Sequence, residues 1–117
     1  MNMKIHRGEI YYARLFGTLG SEENGYRPVV IVQNDIGNKF ANTVIIVPLT
    51  RKIDIDNKQP THVFLKAFGN IKYNSMILAE QVRTIDKSRL CRKVDILPSD
   101  IMQKVDIAMK IAQGIKK

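Results

Sequence analysis

The chain has 117 residues, of which 44% are apolar and 26% charged, with a single cysteine. That length suits one domain with a modest core, spanning residues 1–117. No apolar run approaches the ~20 residues that cross a bilayer, and the lone Cys91 excludes an internal disulfide. The N-terminus, Met1 to Arg7, has no apolar stretch of the signal-peptide kind, so a cytoplasmic location away from membranes is expected. The net charge is +8, unevenly spread. Residues 1–60 hold 8 basic and 6 acidic side chains, residues 61–117 hold 11 and 5. Against Arg83, Lys87, Arg89, Arg92 and Lys93 stands only Asp86. Such a surface attracts polyphosphate partners. Charge alone does not separate RNA from DNA or from an acidic protein.

In chain order, Glu9–Leu15 is rich in aromatics and reads as a strand. A polar loop over residues 16–26 follows, with Gly20 and Gly25 letting it bend. Pro28–Gln33 is β-branched on both faces and reads as a strand covered on both sides. Pro28 biases Arg27 toward an extended backbone. A five-donor guanidinium is thereby held at the rim of a rigid element. It suits an anion such as a phosphate; a structural pair with Glu22 or Glu23 is the alternative. Asn34 to Asn38 carries turn chemistry. Thr43–Leu49 reads as a strand whose Pro48 fits an edge or terminus. Residues 50–60 form a polar excursion. Thr61–Lys66, Ser75–Ala79 and Glu80–Ile85 read as short strands, the last two possible as one. Asp86–Leu90 fits one helical turn, and Cys91–Ile96 a final strand.

Then the period changes. Ile101, Val105, Ala108, Ala112 and Ile115 fall on one helix face. Ser99 or Asp100 can cap its start after Pro98. Ile107 and Ile111 lie off that stripe, which implies a second covered side, against the sheet or a partner chain. Many short strands with one terminal helix predict a small, strongly bent antiparallel barrel; a two-layer α+β sheet is the alternative.

Several chemistries lack their residues. His6, His62 and Cys91 are far apart and show no zinc spacing. The acids offer no obvious two-metal set, so no metal and no cofactor is expected. Phosphate-loop and GxSxG signatures are absent. Aromatics amount to 7%, with none in an obvious stacking array. What remains is a set of polar residues at strand ends. These are Arg27, Asn34, Thr50 with Arg51, and Glu80 with Gln81, all able to bond base edges or phosphates.

Six segments, taken together, resemble the MazF/PemK family of toxin endoribonucleases. They are Arg7-Gly8-Glu9-Ile10-Tyr11, Gly20-Ser21-Glu22 with Gly25-Tyr26-Arg27-Pro28-Val29, Val32-Gln33-Asn34-Asp35, Val47-Pro48-Leu49-Thr50, Pro60-Thr61-His62-Val63, and Glu80-Gln81-Val82-Arg83-Thr84-Ile85-Asp86. They stand in family order and reach up to the terminal helix. The resemblance implies a mainly β (α+β) fold: an SH3-like, partly open antiparallel β-barrel with a C-terminal helix, shared with CcdB-type toxins. It implies a homodimer that cuts single-stranded RNA, mainly mRNA, at short motifs without metal. It also implies a MazE-like antitoxin whose extended acidic tail blocks the RNA groove. Arg27 and Thr50 fall on the family's catalytic arginine and threonine. Ser21, Glu22, Asn34, Arg51, Glu80 and Gln81 fall in or beside segments lining its RNA groove. Two rivals remain: a non-catalytic RNA-binding barrel, and a CcdB-like gyrase poison, although this chain lacks the tryptophan of that family's tail.

Overall fold

The computed structural model describes residues 4–16, 25–53 and 59–116. Its strands are β1 (Glu9–Leu15), β2 (Gly25–Ile31), β3 (Thr43–Thr50), β4 (His62–Leu65), β5 (Ser75–Leu78), β6 (Arg83–Asp86) and β7 (Leu90–Ile96). Two helices join them, α1 (Asp35–Phe40) and α2 (Ser99–Ala112). All strand pairs are antiparallel. The order is β4-β5-β3-β2-β1-β7, with β6 paired to β3. The sheet curls without closing. This is the SH3-like, partly open barrel with a C-terminal helix that the sequence predicts. Among the described residues no helix is long and apolar enough to cross a membrane.

The central strands are apolar on both faces because both faces are covered. One face buries Ile10, Val30, Val47 and Leu49 together with Val105 and Ala108 of α2. The other buries Tyr11, Ala13, Leu15, Val29, Ile31, Val44 and Ile46 with Ile85 and Leu90. Strand alternation accounts for the split: even and odd positions of β2 serve different cores. Burial at ~25 cal/mol per Å² makes these two clusters the main favourable contribution to folding.

β3 is the organising strand. One flank pairs with β2; the other pairs with β6 along its first half and with β5 at its end. Between the pairs Ile46–Arg83 and Leu49–Ile77, β3 advances three residues while its neighbour covers six. The excess is the 3-10 turn Ala79–Gln81. The stretch 80–85 is therefore not one strand; β5 and β6 are halves of an interrupted neighbour. Pro48 lies in that gap, where a residue without an N–H costs least. It sits near the end of β3, at the last pair of the β2–β3 ladder, which matches the terminus expected although the strand is not an edge.

Three further expectations change. Asn34–Asn38 is not a simple turn: Asn34 caps α1, its side chain accepting the Gly37 N–H at 2.8 Å. Cap and turn chemistry draw on the same residues. The buried stripe of α2 is Met102, Val105 and Ala108, with Ile101 and Met109 partly covered. Ala112 and Ile115 are exposed, as are Ile107 and Ile111. Neither Ser99 nor Asp100 caps α2; its N-cap position is Pro98, with no side-chain bond. The expected single turn after residue 86 is present as Lys87–Arg89, capped by Asp86.

The Arg7-Gly8-Glu9 segment is explained structurally. Arg7 donates through Nε to the Val32 carbonyl at 3.1 Å and forms an ion pair with Asp106 of α2. Gly8 accepts from Leu97 and donates to Ile31, both at 2.8 Å. This short segment ties the sheet to the helix.

Candidate active site

Arg27 stands near the start of β2, opposite Ala13 of β1. Thr50 ends β3, opposite Met76 of β5. The β2–β3 ladder is last paired at Val29 and Pro48. The ladder does not reach Arg27 or Thr50; carried two steps past its last pair, the same register would bring them opposite each other. Directly opposed residues of an antiparallel pair share a face. Arg27 and Thr50 thus belong to the face of Val29, Ile31 and Ile46, at its end, where the apolar residues give way to polar ones.

Thr50 is only 6% exposed. Its hydroxyl oxygen accepts the Lys52 N–H at 3.1 Å. That bond occupies a lone pair and leaves the hydroxyl proton to donate, the polarity an anion needs. Arg51 is exposed, its guanidinium 4.5 Å from the ring centre of Tyr73. Glu80 lies in the 3-10 turn and meets His62 Nε2 at 2.9 Å through one carboxylate oxygen. Gln81 closes the same turn, beside the Pro48 stretch of β3. Thr50, Arg51, Glu80 and Gln81 therefore gather around the end of β3 and its β5–β6 flank.

Asn34 does not join them. It caps α1 beyond the far end of β2, seven residues and on the order of 20 Å from Arg27 along extended backbone. Ser21 and Glu22 lie outside the described residues, as do the loop glutamates considered as partners of Arg27. Among the described residues no group of three or more His, Cys, Asp and Glu could hold a metal ion.

Some features escape linear reading. His62 is bonded to Glu80 and so braces the 3-10 turn. One terminal nitrogen of Arg83 is buried without a hydrogen-bond partner. Arg83 pairs with Ile46 and so shares the Arg27–Thr50 face, roughly 13 Å along β3 from Thr50. The basic excess also divides. Lys93 is neutralised by Glu9 at 2.6 Å, and that hydrogen bond raises the lysine pKa. Arg92, in contrast, lies over Tyr12, which is stacked on Tyr26. An aromatic array does exist, formed by residues distant in sequence; only the β1–β2 register reveals it.

A family model described as PemK-like, MazF-like toxin of type II toxin–antitoxin system matches residues 6–112. Endoribonuclease EndoA of Bacillus subtilis (strain 168) is 46% identical over 115 residues, which cover 97% of each chain. The structure of MazF from Deinococcus radiodurans superposes with a TM-score of 0.82 at 20% identity, over 97% of this chain and 99% of that one. An endoribonuclease from a mycobacterial species, solved with its cognate antitoxin, gives 0.77 at 24% identity, over 97% and 98%. The structural likenesses carry the fold, and the family model and the EndoA identity carry the kinship: the chain belongs to the PemK/MazF family of toxins of type II toxin–antitoxin systems.

Proposed function

We propose that this endoribonuclease of the PemK/MazF type cuts single-stranded RNA, mainly mRNA, at a short base motif without a metal ion, Arg27 and Thr50 carrying the chemistry. What supports the pair is the β2–β3 register: carried two residues past its last pair, Val29–Pro48, it would align the Arg27 guanidinium with the Thr50 hydroxyl on one face.

In the proposed reaction the substrate's 2′-oxygen attacks the adjacent phosphorus and the 5′-oxygen leaves. The products are a 2′,3′-cyclic phosphate and a 5′-hydroxyl. DNA has no such hydroxyl and survives. Negative charge grows on the phosphoryl oxygens as phosphorus becomes five-coordinate. Arg27 meets it with two charged donors and Thr50 with a third, neutral one. A guanidinium with a pKa above ~12 is no base at neutral pH. Arg27 is therefore a charge stabiliser. The proton of the 2′-hydroxyl passes to water, a phosphate oxygen or another residue, and the leaving oxygen takes one from water or from Arg27, which then regains it from solvent. Arg51, Glu80 and Gln81, around the end of β3, are assigned to base and phosphate contacts; Asn34, Ser21 and Glu22 are proposed as further RNA contacts on the resemblance alone.

A cognate antitoxin with an extended acidic tail fits the +8 chain. A homodimer is proposed as well, in keeping with Ile36 and Phe40 of α1, 75% and 74% exposed. The experiment is digestion of a long transcript with excess EDTA, followed by chemical analysis of the ends. Unchanged cutting with 5′-hydroxyl ends is expected. Inhibition reversed by magnesium would refute the metal-free route, and 5′-phosphate ends would refute the 2′-oxygen attack.

A further inference from the structure

Away from Arg27 and Thr50, the opposite face of the β1–β2 hairpin carries a second arrangement. Even-numbered positions of β1 walk out of the core: Ile10 is buried under α2, Tyr12 half-buried, Arg14 exposed. On β2 the same face runs from buried Val30 through Pro28 to Tyr26, and on β7 from Val94 to Arg92. The face ends in two tyrosines and two arginines. The Tyr12 and Tyr26 rings stack with centroids 4.8 Å apart and planes 7° from parallel. The Arg92 guanidinium lies 4.8 Å from the Tyr12 centroid. Tyr26 is the outer ring, 52% exposed. Arg14 is directly opposite it in the ladder, close enough for one ligand to touch both.

We propose that this column is an accessory site for single-stranded RNA, in which a base stacks on Tyr26 and an adjoining phosphate pairs with Arg14. Base stacking on an aromatic ring is tolerant of sequence and is combined with cations wherever single strands are held. Tyr26 is already fixed by Tyr12, so little ordering remains to oppose binding. Among the described residues neither Arg14 nor Arg92 has an acidic partner, whereas Arg7 and Lys93 each do. An acidic peptide could use Arg14 but has no need of an exposed flat ring; a nucleobase uses both. The choice of RNA as ligand rests on the ribonuclease reading above. Because Tyr26 and Arg27 are adjacent on one strand, their side chains leave opposite faces. The column therefore retains long substrate and takes no part in the chemistry.

The chain has no tryptophan, so Tyr26→Trp places a sole indole at the platform. The probes are a single-stranded DNA oligonucleotide, which lacks the attacking hydroxyl, and an abasic strand of equal length. The expected result is quenching of emission by the base-bearing strand and none by the abasic one. Tyr26→Leu, with circular dichroism unchanged, should weaken the base-bearing strand about tenfold and leave the abasic strand alone. Arg14→Ala should lower the salt slope by about 0.7. Emission unchanged at saturation, or quenched equally by the abasic strand, overturns the site. Quenching by polyglutamate but not by DNA overturns it too, in favour of an acidic protein. Cleavage of a long transcript is scored separately. Cutting without quenching refutes only the platform; quenching without cutting refutes only the nuclease.

Discussion

The two ends of the β2–β3 pair are built differently. At the end carrying Gln33 and Asn38, polar groups answer one another. Asn38 is buried, donating to the Gln33 carbonyl at 3.0 Å and to Asp35 at 3.1 Å, while Gln33 donates back to Asn38 at 3.2 Å. Arg7 adds its bonds to Val32 and Asp106. At the other end the ladder stops at Val29 and Pro48, and donors collect: Arg27, the Thr50 hydroxyl and the Arg51 side chain. A network satisfied internally rigidifies; the donors grouped at the rim are the ones the proposed reaction uses. On the proposed reading, stability and chemistry occupy opposite ends of one strand pair, and substitutions should separate them.

The largest separation is expected at Arg27. Arg27→Ala should lower the cleavage rate by roughly 10²–10³, the scale of one lost transition-state donor, with the melting temperature little changed. Thr50→Val keeps the buried volume and removes the hydroxyl. A loss of about tenfold or more is expected, the scale of a hydrogen bond to a charged group. Single-turnover rates on one transcript, read beside thermal melts, check both. A folded Arg27→Ala protein that cuts at near-normal rate would end the assignment.

The converse comes from the core. Ile10 is fully buried on the face under α2. Ile10→Ala removes three carbons from that interior, and a loss of about 3 kcal/mol is expected, with the rate per folded molecule unchanged. Chemical denaturation measures the first and cleavage below the melting temperature the second. A fall in rate matching that of Arg27→Ala would show that the two ends are mechanically coupled.

A smaller effect is expected at Gly69, whose φ is +50°. A Cβ there would run into the Asp95 carboxylate, which holds the Asn70 N–H at 2.9 Å. Gly69→Ala should cost about 1–2 kcal/mol from the left-handed backbone alone. Restoring stability with a second change, Asp95→Ala, would show that the clash, and not the backbone, dominates.

Much of this contrast was legible in the chain and some was not. Strand positions in β1, β3 and β7 follow from alternation and β-branched runs, which are local. The break at Ala79–Gln81 is not local, because it exists to let one neighbour change register along β3. Asn34-Asp35-Ile36-Gly37 reads equally as turn or helix cap; only the buried Asn38 network decides. On α2 the stripe is shifted toward Met102 because the sheet, not the helix, chooses which side is covered. Arg27 and Thr50 are recognisable singly. Their proposed opposition is read only from the β2–β3 register, and the tyrosine column only from that of β1 and β2.

The smallest effect concerns pH and again distinguishes scaffold from site. Asp35, Asp86 and Asp95 each accept backbone N–H groups: from Arg7, from Ser88, and from Asn70 and Ile96. Those bonds favour the ionised form and hold all three carboxyls below their ordinary value. The folded pKa is thus lower than the unfolded one. Their contribution is complete above the ordinary carboxylate range, near pH 4, and fades as pH falls through the depressed folded values. Lys93, raised by its bond to Glu9, behaves oppositely. Its contribution is intact below the ordinary lysine value and is lost only as alkaline pH passes the raised one. Melting temperature should therefore be flat near neutrality and decline in acid, and Asp95→Asn should flatten the acid limb slightly. These groups lie at the start of α1, at the end of β6 and on β7, away from Arg27 and Thr50. The cleavage rate of the folded protein should not follow the acid limb; a rate that tracks it would place one of these carboxylates in the reaction.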